Sequence, residues 1–159
     1  MSLFILLFSF LPVQDSAEVL INRGYNKYLE ENYEGAISDF NQALQLAPEN
    51  AEIYYLRGVC RSNIGLKVAA IKDLNSAIHL NPQYAEAYYE KAYIYLSDQN
   101  AQKAIGVLNK VIQLNPKMAE AYISRGTAKC MLNDIQGANA DWEKAKELGI
   151  DYTGMMICE

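Results

Sequence analysis

Leu46-Ala47-Pro48-Glu49-Asn50-Ala51-Glu52, Leu80-Asn81-Pro82-Gln83-Tyr84-Ala85-Glu86 and Leu114-Asn115-Pro116-Lys117-Met118-Ala119-Glu120 are three versions of one segment. Their prolines recur at intervals of 34 residues, and the Ala-Glu pair recurs with them, appearing first at Ala17-Glu18. A fixed period of this length marks stacked supersecondary units, each too small to bury its apolar face alone. The period divides the chain into units 17–50, 51–84, 85–118 and 119–152, with an apolar leader at 1–16 and a short tail at 153–159.

Within a unit the apolar spacing predicts a first helix of about fourteen residues, a polar turn such as Glu31-Asn32 or Asp98-Gln99-Asn100, and a second helix ending near the proline. Each unit therefore reads as a helical hairpin. Gly24, Gly58, Ala92 and Gly126, together with Ala36, Ala70, Ala104 and Ala138, lack bulk where the two helices must cross. Phe40, Leu74, Leu108 and Trp142 fill the space beside them. Proline cannot continue the second helix and resets the chain for the next unit.

In the small residues, the alanines, the prolines and the recurrent Leu20, Tyr54, Tyr88 and Tyr122, residues 17–152 resemble the tetratricopeptide repeat (TPR) family. The resemblance implies an all-α fold, an α-solenoid of four helix-turn-helix repeats wound into a right-handed superhelix. The chain departs from the family pattern in three ways. The seventh residue of each unit is basic (Arg23, Arg57, Lys91, Arg125), the eleventh is aromatic only at Tyr95, and the fourth unit carries Ile150 in place of proline.

The basic residues have a structural explanation in the second helices. Asp39, Asp73 and Asp141 follow the three arginines by sixteen residues, whereas Lys91 faces Val107. Planar arginine suits a fixed carboxylate, so the pattern predicts an ion pair inside each arginine-bearing hairpin rather than an anion-binding stripe. Asn139 and Lys146 replace the apolar pairs Ile37/Leu44, Ile71/Ile78 and Ile105/Ile112 of the other units. The fourth unit thus carries a polar end cap, with Gly149 as a helix stop, and the tail from Asp151 is apolar enough to lie back over the last helix.

The run Leu3 to Leu11 is apolar except for Ser9, and it is shorter than the roughly 20 residues that span a bilayer. Its length suits the centre of a secretory signal, yet no Lys or Arg precedes it and no small-x-small cleavage pair follows. A signal or anchor, a leader folded onto the first hairpin and a misassigned start remain open alternatives. Membrane contact is expected only through residues 1–13, and localisation is cytoplasmic unless that run acts as a signal or anchor.

The 159 residues include 14 basic and 19 acidic side chains, a net charge of −5 that matches a phosphate backbone poorly, so no nucleic-acid partner is expected. Cys60, Cys130 and Cys158 are widely spaced, and neither a disulfide framework nor a zinc site can be read from them. The sole histidine, His79, falls at an outward position, and no nucleotide-binding, zinc-protease or serine-hydrolase string occurs. Catalytic residues, cofactors and metals are all expected to be absent, and the chain reads as a non-enzyme.

Recognition by a surface remains. The resemblance implies a concave groove lined by the first helices, built in unit one from Glu18, Ile21, Tyr25 and Tyr28, and in unit two from Tyr55, Val59 and Asn63 beside Ser62. Unit three contributes Glu86, Tyr89, Tyr93 and Ser97 beside Leu96, and unit four Ile123 and Thr127 beside Glu120. Tyrosine, with one apolar face and one hydroxyl, suits partner binding. The residues matching the family's chaperone-tail clamp are Ile21, Tyr25, Leu56, Glu86 and Glu90, the wrong chemistry for a carboxylate. An asparagine ladder that would grip a peptide backbone is also missing, since Asn22 is followed by Leu56, Glu90 and Ser124. The expected function is a monomeric scaffold that binds an extended or helical protein segment, apolar with neutral or basic flanks. The alternative is a structural assembly protein that self-associates through repeat stacking.

Overall fold

The computed structural model describes residues 15–150. The readings of the leader and the tail concern residues outside that range. Eight α-helices follow one another with no strand among the described residues: α1 (Ala17–Leu29), α2 (Tyr33–Leu46), α3 (Ala51–Asn63), α4 (Lys67–Leu80), α5 (Ala85–Ser97), α6 (Ala101–Leu114), α7 (Ala119–Met131) and α8 (Ile135–Glu147).

Local chemistry starts and stops these helices. Ser16 caps α1 by accepting from the Val19 amide, and Asn50 caps α3 by accepting from the Glu52 and Ile53 amides. Three of the second helices are capped alike, with Asn32, Asn100 and Asp134 accepting from Gly35, Lys103 and Gly137. At the corresponding place before α4 stands Leu66, which makes no side-chain cap and is 52% exposed. Each hairpin turns through one left-handed residue, Glu31, Gly65, Gln99 or Asn133, with φ of 59°, 78°, 56° and 62°. Only at Gly65 does a glycine relieve the cost of that conformation.

The two helices of each unit pack on each other around a small-against-large crossing. Phe40, Leu74 and Leu108 are fully buried, as are Ala36, Ala70, Ala104 and Ala138. Burying each large side chain stabilises the fold by about 1.5–3 kcal/mol. A Cβ on Gly24 would stand 2.7 Å from the Phe40 ring, and one on Gly126 would overlap the Trp142 indole, whereas one on Gly58 would meet Leu74 at 3.2 Å. Unit three has Ala92 opposite Leu108, so a methyl group is compatible with leucine there. The residue without bulk is strictly glycine where its partner is aromatic.

The predicted ion pairs are present, and each aspartate carries a second cation that was not foreseen. Arg57 grips Asp73 through Nε and Nη2 at 2.9 and 2.7 Å, and Arg61 adds Nη1 at 2.7 Å. Arg125 and Lys129 hold Asp141 in the same way, and Arg23 and Lys27 approach Asp39 at 2.8 and 2.6 Å. Burial works against ionisation of Asp39, but the hydrogen bonds from Arg23 and Lys27 outweigh it and hold the carboxyl below its usual range. In unit three, where Val107 replaces the aspartate, Tyr95 replaces the second cation.

The same basic residues tie one unit to the one before it. Arg57, Lys91 and Arg125 donate to Asn41, Asn75 and Asn109 of the preceding second helix at 2.6, 2.7 and 2.8 Å. Arg23 of the first unit reaches Asp15 at 2.9 Å instead. Each first helix also approaches the first helix of the next unit, while no such approach links successive second helices. The stack therefore closes on the side of α1, α3, α5 and α7 and splays on the other, which makes the first-helix side concave. Asn139 and Lys146 are exposed on α8, whose helix contacts are with α7.

Two stability measurements check this account. Gly126→Ala should lower stability by about 1–2 kcal/mol relative to Gly58→Ala, because the overpacking cost at the indole exceeds the helix-propensity gain that both changes share. Equal melting temperatures for the two variants would refute the crossing argument. Leu66→Asn should raise the denaturation midpoint, a gain of about 1 kcal/mol from supplying the missing cap of α4.

Candidate functional site

The concave side holds two recesses that share a wall. One, of about 480 Å³, is lined by Tyr28, Val59, Ser62, Asn63, Tyr89, Glu90 and Tyr93. The other, of about 420 Å³, is lined by Tyr89, Tyr93, Leu96, Glu120, Ile123, Ser124 and Thr127. Tyr89 and Tyr93 project from one face of α5, four residues apart, and so separate the two. Tyr93 is 58% exposed, whereas the Tyr89 hydroxyl is fixed against Ser124 Oγ at 3.2 Å.

Of the residues expected in the groove, Tyr28, Val59, Asn63, Tyr89, Tyr93, Ile123 and Thr127 line these recesses. Asn63 donates to the Val59 carbonyl, and Thr127 to the Ile123 carbonyl, so their polar atoms are turned onto their own helices. Glu18 and Glu86 are exposed at the start of their helices, where an acidic side chain complements the helix dipole. Tyr25 lies on Tyr28 with ring centroids 6.1 Å apart. Ile21 packs against the core of the first two units, Tyr55 packs on Tyr84 at 4.9 Å, and the Ser97 hydroxyl donates to the Ile94 carbonyl. Those three serve packing and helix ending and do not line either recess.

Glu90 and Ser124 are lining residues that the groove expectation omitted. Their sequence signal is the sixth position of the unit, one residue after the groove-lining Tyr89 and Ile123. Burial pushes the Glu90 carboxyl above the usual carboxylate range. Burial likewise raises the phenols of Tyr28 and Tyr89, and the hydrogen bond to Ser124 partly offsets the rise at Tyr89. In the first recess the tyrosines form hydroxyl-bearing walls, and Glu90 is the one carboxyl group among them.

Other candidate chemistry is dispersed. Cys60 is fully buried, and burial pushes its thiol up to about 11, the wrong direction for a nucleophile. Cys130 lies partly buried on α7. His79 is exposed on α4 and lines a recess with Pro48, Tyr54 and Val68, away from the tyrosines of the concave side. Among the described residues no group of His, Cys, Asp and Glu is gathered for a metal ion, and no helix is long and apolar enough to cross a membrane.

Residues 24–65 match the TPR repeat family and residues 68–119 match the tetratricopeptide repeat family. The solved structure of MamA is 32% identical, covers 83% of this chain and 77% of its own, and superposes with a TM-score of 0.80. The chain belongs to the tetratricopeptide repeat family. Proteins of this family generally mediate protein–protein interaction. Two further structures share the fold at lower identity. YrrB, described as a TPR protein with an unusual peptide-binding site, is 21% identical over 86% of this chain and 71% of its own, with a TM-score of 0.75. The first TPR of Spaghetti (RPAP3), bound to the HSP90 peptide SRMEEVD, is 23% identical over 74% of this chain and 94% of its own, with a TM-score of 0.72. No curated protein matches the sequence.

Proposed function

We propose that this TPR chain is a non-catalytic adaptor that binds a segment of a partner protein across the concave side, with Tyr89 and Tyr93 as the central anchors. The observation that carries the reading is the shared wall. Two adjacent recesses, one polar and one largely apolar, meet at two large amphipathic side chains in the middle of the stack. Central aromatics in such positions usually concentrate binding energy. The peptide-bound RPAP3 repeat and the peptide site named for YrrB support a protein segment as the ligand class. A buried Cys60 thiol and an exposed His79 offer no assembled acid, base or nucleophile. The chain acts as a monomer in this reading, since each hairpin already buries its crossing within itself and against its neighbours.

The test uses peptides selected on the full chain from a random display library and titrated against the parent and three variants. Tyr93→Ala should weaken binding by about 1–3 kcal/mol while leaving the melting temperature nearly unchanged, because this ring is largely exposed. Tyr55→Ala should chiefly lower stability through its lost contact with Tyr84, and Val68→Ala on the other face should change neither. Binding that is insensitive to Tyr93→Ala but lost in Val68→Ala would move the interface to the recess beside His79.

A further inference from the structure

Glu90 stands apart from the other carboxylates of the fold. Among the described residues, Asp15, Asp39, Asp73 and Asp141 are buried or partly buried, and each is paired with arginine alone or with arginine and a second cation. Glu90 is partly buried as well, yet no hydrogen bond or ion pair reaches it from the described residues. Its neighbour Lys91 is turned away, donating to Asn75 at 2.7 Å and lying 6.0 Å from the Tyr95 ring. A desolvated, unpaired carboxylate opposes folding, so the position is costly as it stands. The carboxylate opens into a recess walled by Tyr28, Tyr89 and Tyr93, large enough for a long side chain.

We propose that the recess formed by Tyr28, Val59, Tyr89, Glu90 and Tyr93 takes a lysine or arginine side chain of the partner segment, with Glu90 as its counter-charge. The proposal rests on the concave-groove reading and deepens it by naming the anchor the groove selects. Three features of the recess fit a cation. The carboxylate supplies the missing charge, and its partial burial makes the pair stronger than one in open water. Tyrosine rings attract ammonium and guanidinium groups and pack against the apolar stems that carry them. The exposed glutamates Glu52, Glu86 and Glu120 at the starts of α3, α5 and α7 add a negative field along the same side. Leu96 and Ile123 in the adjoining recess suit an apolar side chain next to the basic one, which fixes the order of chemistry along the ligand without fixing its spacing.

The experiment measures binding of positional-scanning decapeptide pools to the full chain, with one position fixed as lysine, arginine, norleucine or glutamate. Norleucine keeps the lysine stem and removes the charge. Lysine and arginine pools should bind about tenfold more tightly than norleucine pools, the scale of one charge-assisted pair. In Glu90→Gln that preference should vanish while norleucine binding holds and the melting temperature does not fall. Glu86→Gln, which alters an exposed rim charge, should retain most of the preference. Tyr93→Ala separates the two levels of the account. If it weakens every pool but the parent shows no basic preference, or Glu90→Gln keeps one, the cation recess is wrong and the groove stands. If Tyr93→Ala leaves every pool unchanged, the groove itself is wrong and the recess falls with it.

Discussion

The close crossing of the two helices in each hairpin is the constraint on which the rest of the structure depends. Where Gly24 meets Phe40 and Gly126 meets Trp142, a single added methyl group has no room. That contact sets the separation of the helix axes, and the separation brings an aspartate of the second helix within reach of two cations on the first. Asp73, held by Arg57 and Arg61, would be a buried uncompensated charge at a wider spacing. The arginine then has one nitrogen left for the asparagine of the preceding unit, so the internal clamp also fixes the stacking of neighbours. Curvature follows from this arrangement, because the first helices meet along the stack and the second helices do not.

The repeat was legible because its physical causes are periodic. Proline after the second helix of the first three units, a residue without bulk at the crossing and a large partner sixteen residues on recur in register, so the fold can be read without knowing any contact. The pairing of Arg23, Arg57 and Arg125 with Asp39, Asp73 and Asp141 was legible for the same reason. The second cations were visible but misread. Lys27, Arg61 and Lys129 stand where the family has an aromatic, and their absence in unit three coincides with the absence of the aspartate.

The groove was less legible because it is not periodic. A groove list by unit position gives Tyr55 and Tyr89 the same role, but Tyr55 has Tyr84 beside it and packs there, while Tyr89 has Ser124 and stays at the groove wall. Those neighbours stand at unit positions whose residue type changes from unit to unit, which the period does not govern. In the sequence Glu90 reads only as the loss of an asparagine, because nothing in the repeat pattern marks a carboxylate without a cation. Its missing cation is a property of the packed structure, since only there can one see that Lys91 points to Asn75. Natural proteins often tolerate such locally costly groups where binding requires them.

The most direct test of the central claim, that the concave side with its tyrosine-walled carboxylate is the binding surface, is amide chemical-shift mapping by solution NMR of the isotope-labelled full chain with a selected lysine-containing peptide. The account predicts the largest shifts along α5, at Glu90 and Tyr93, with smaller ones at Tyr28, Ser62 and Ser124, and none on α4. Shifts centred on Val68, Ile71 and His79, with α5 undisturbed, would contradict it.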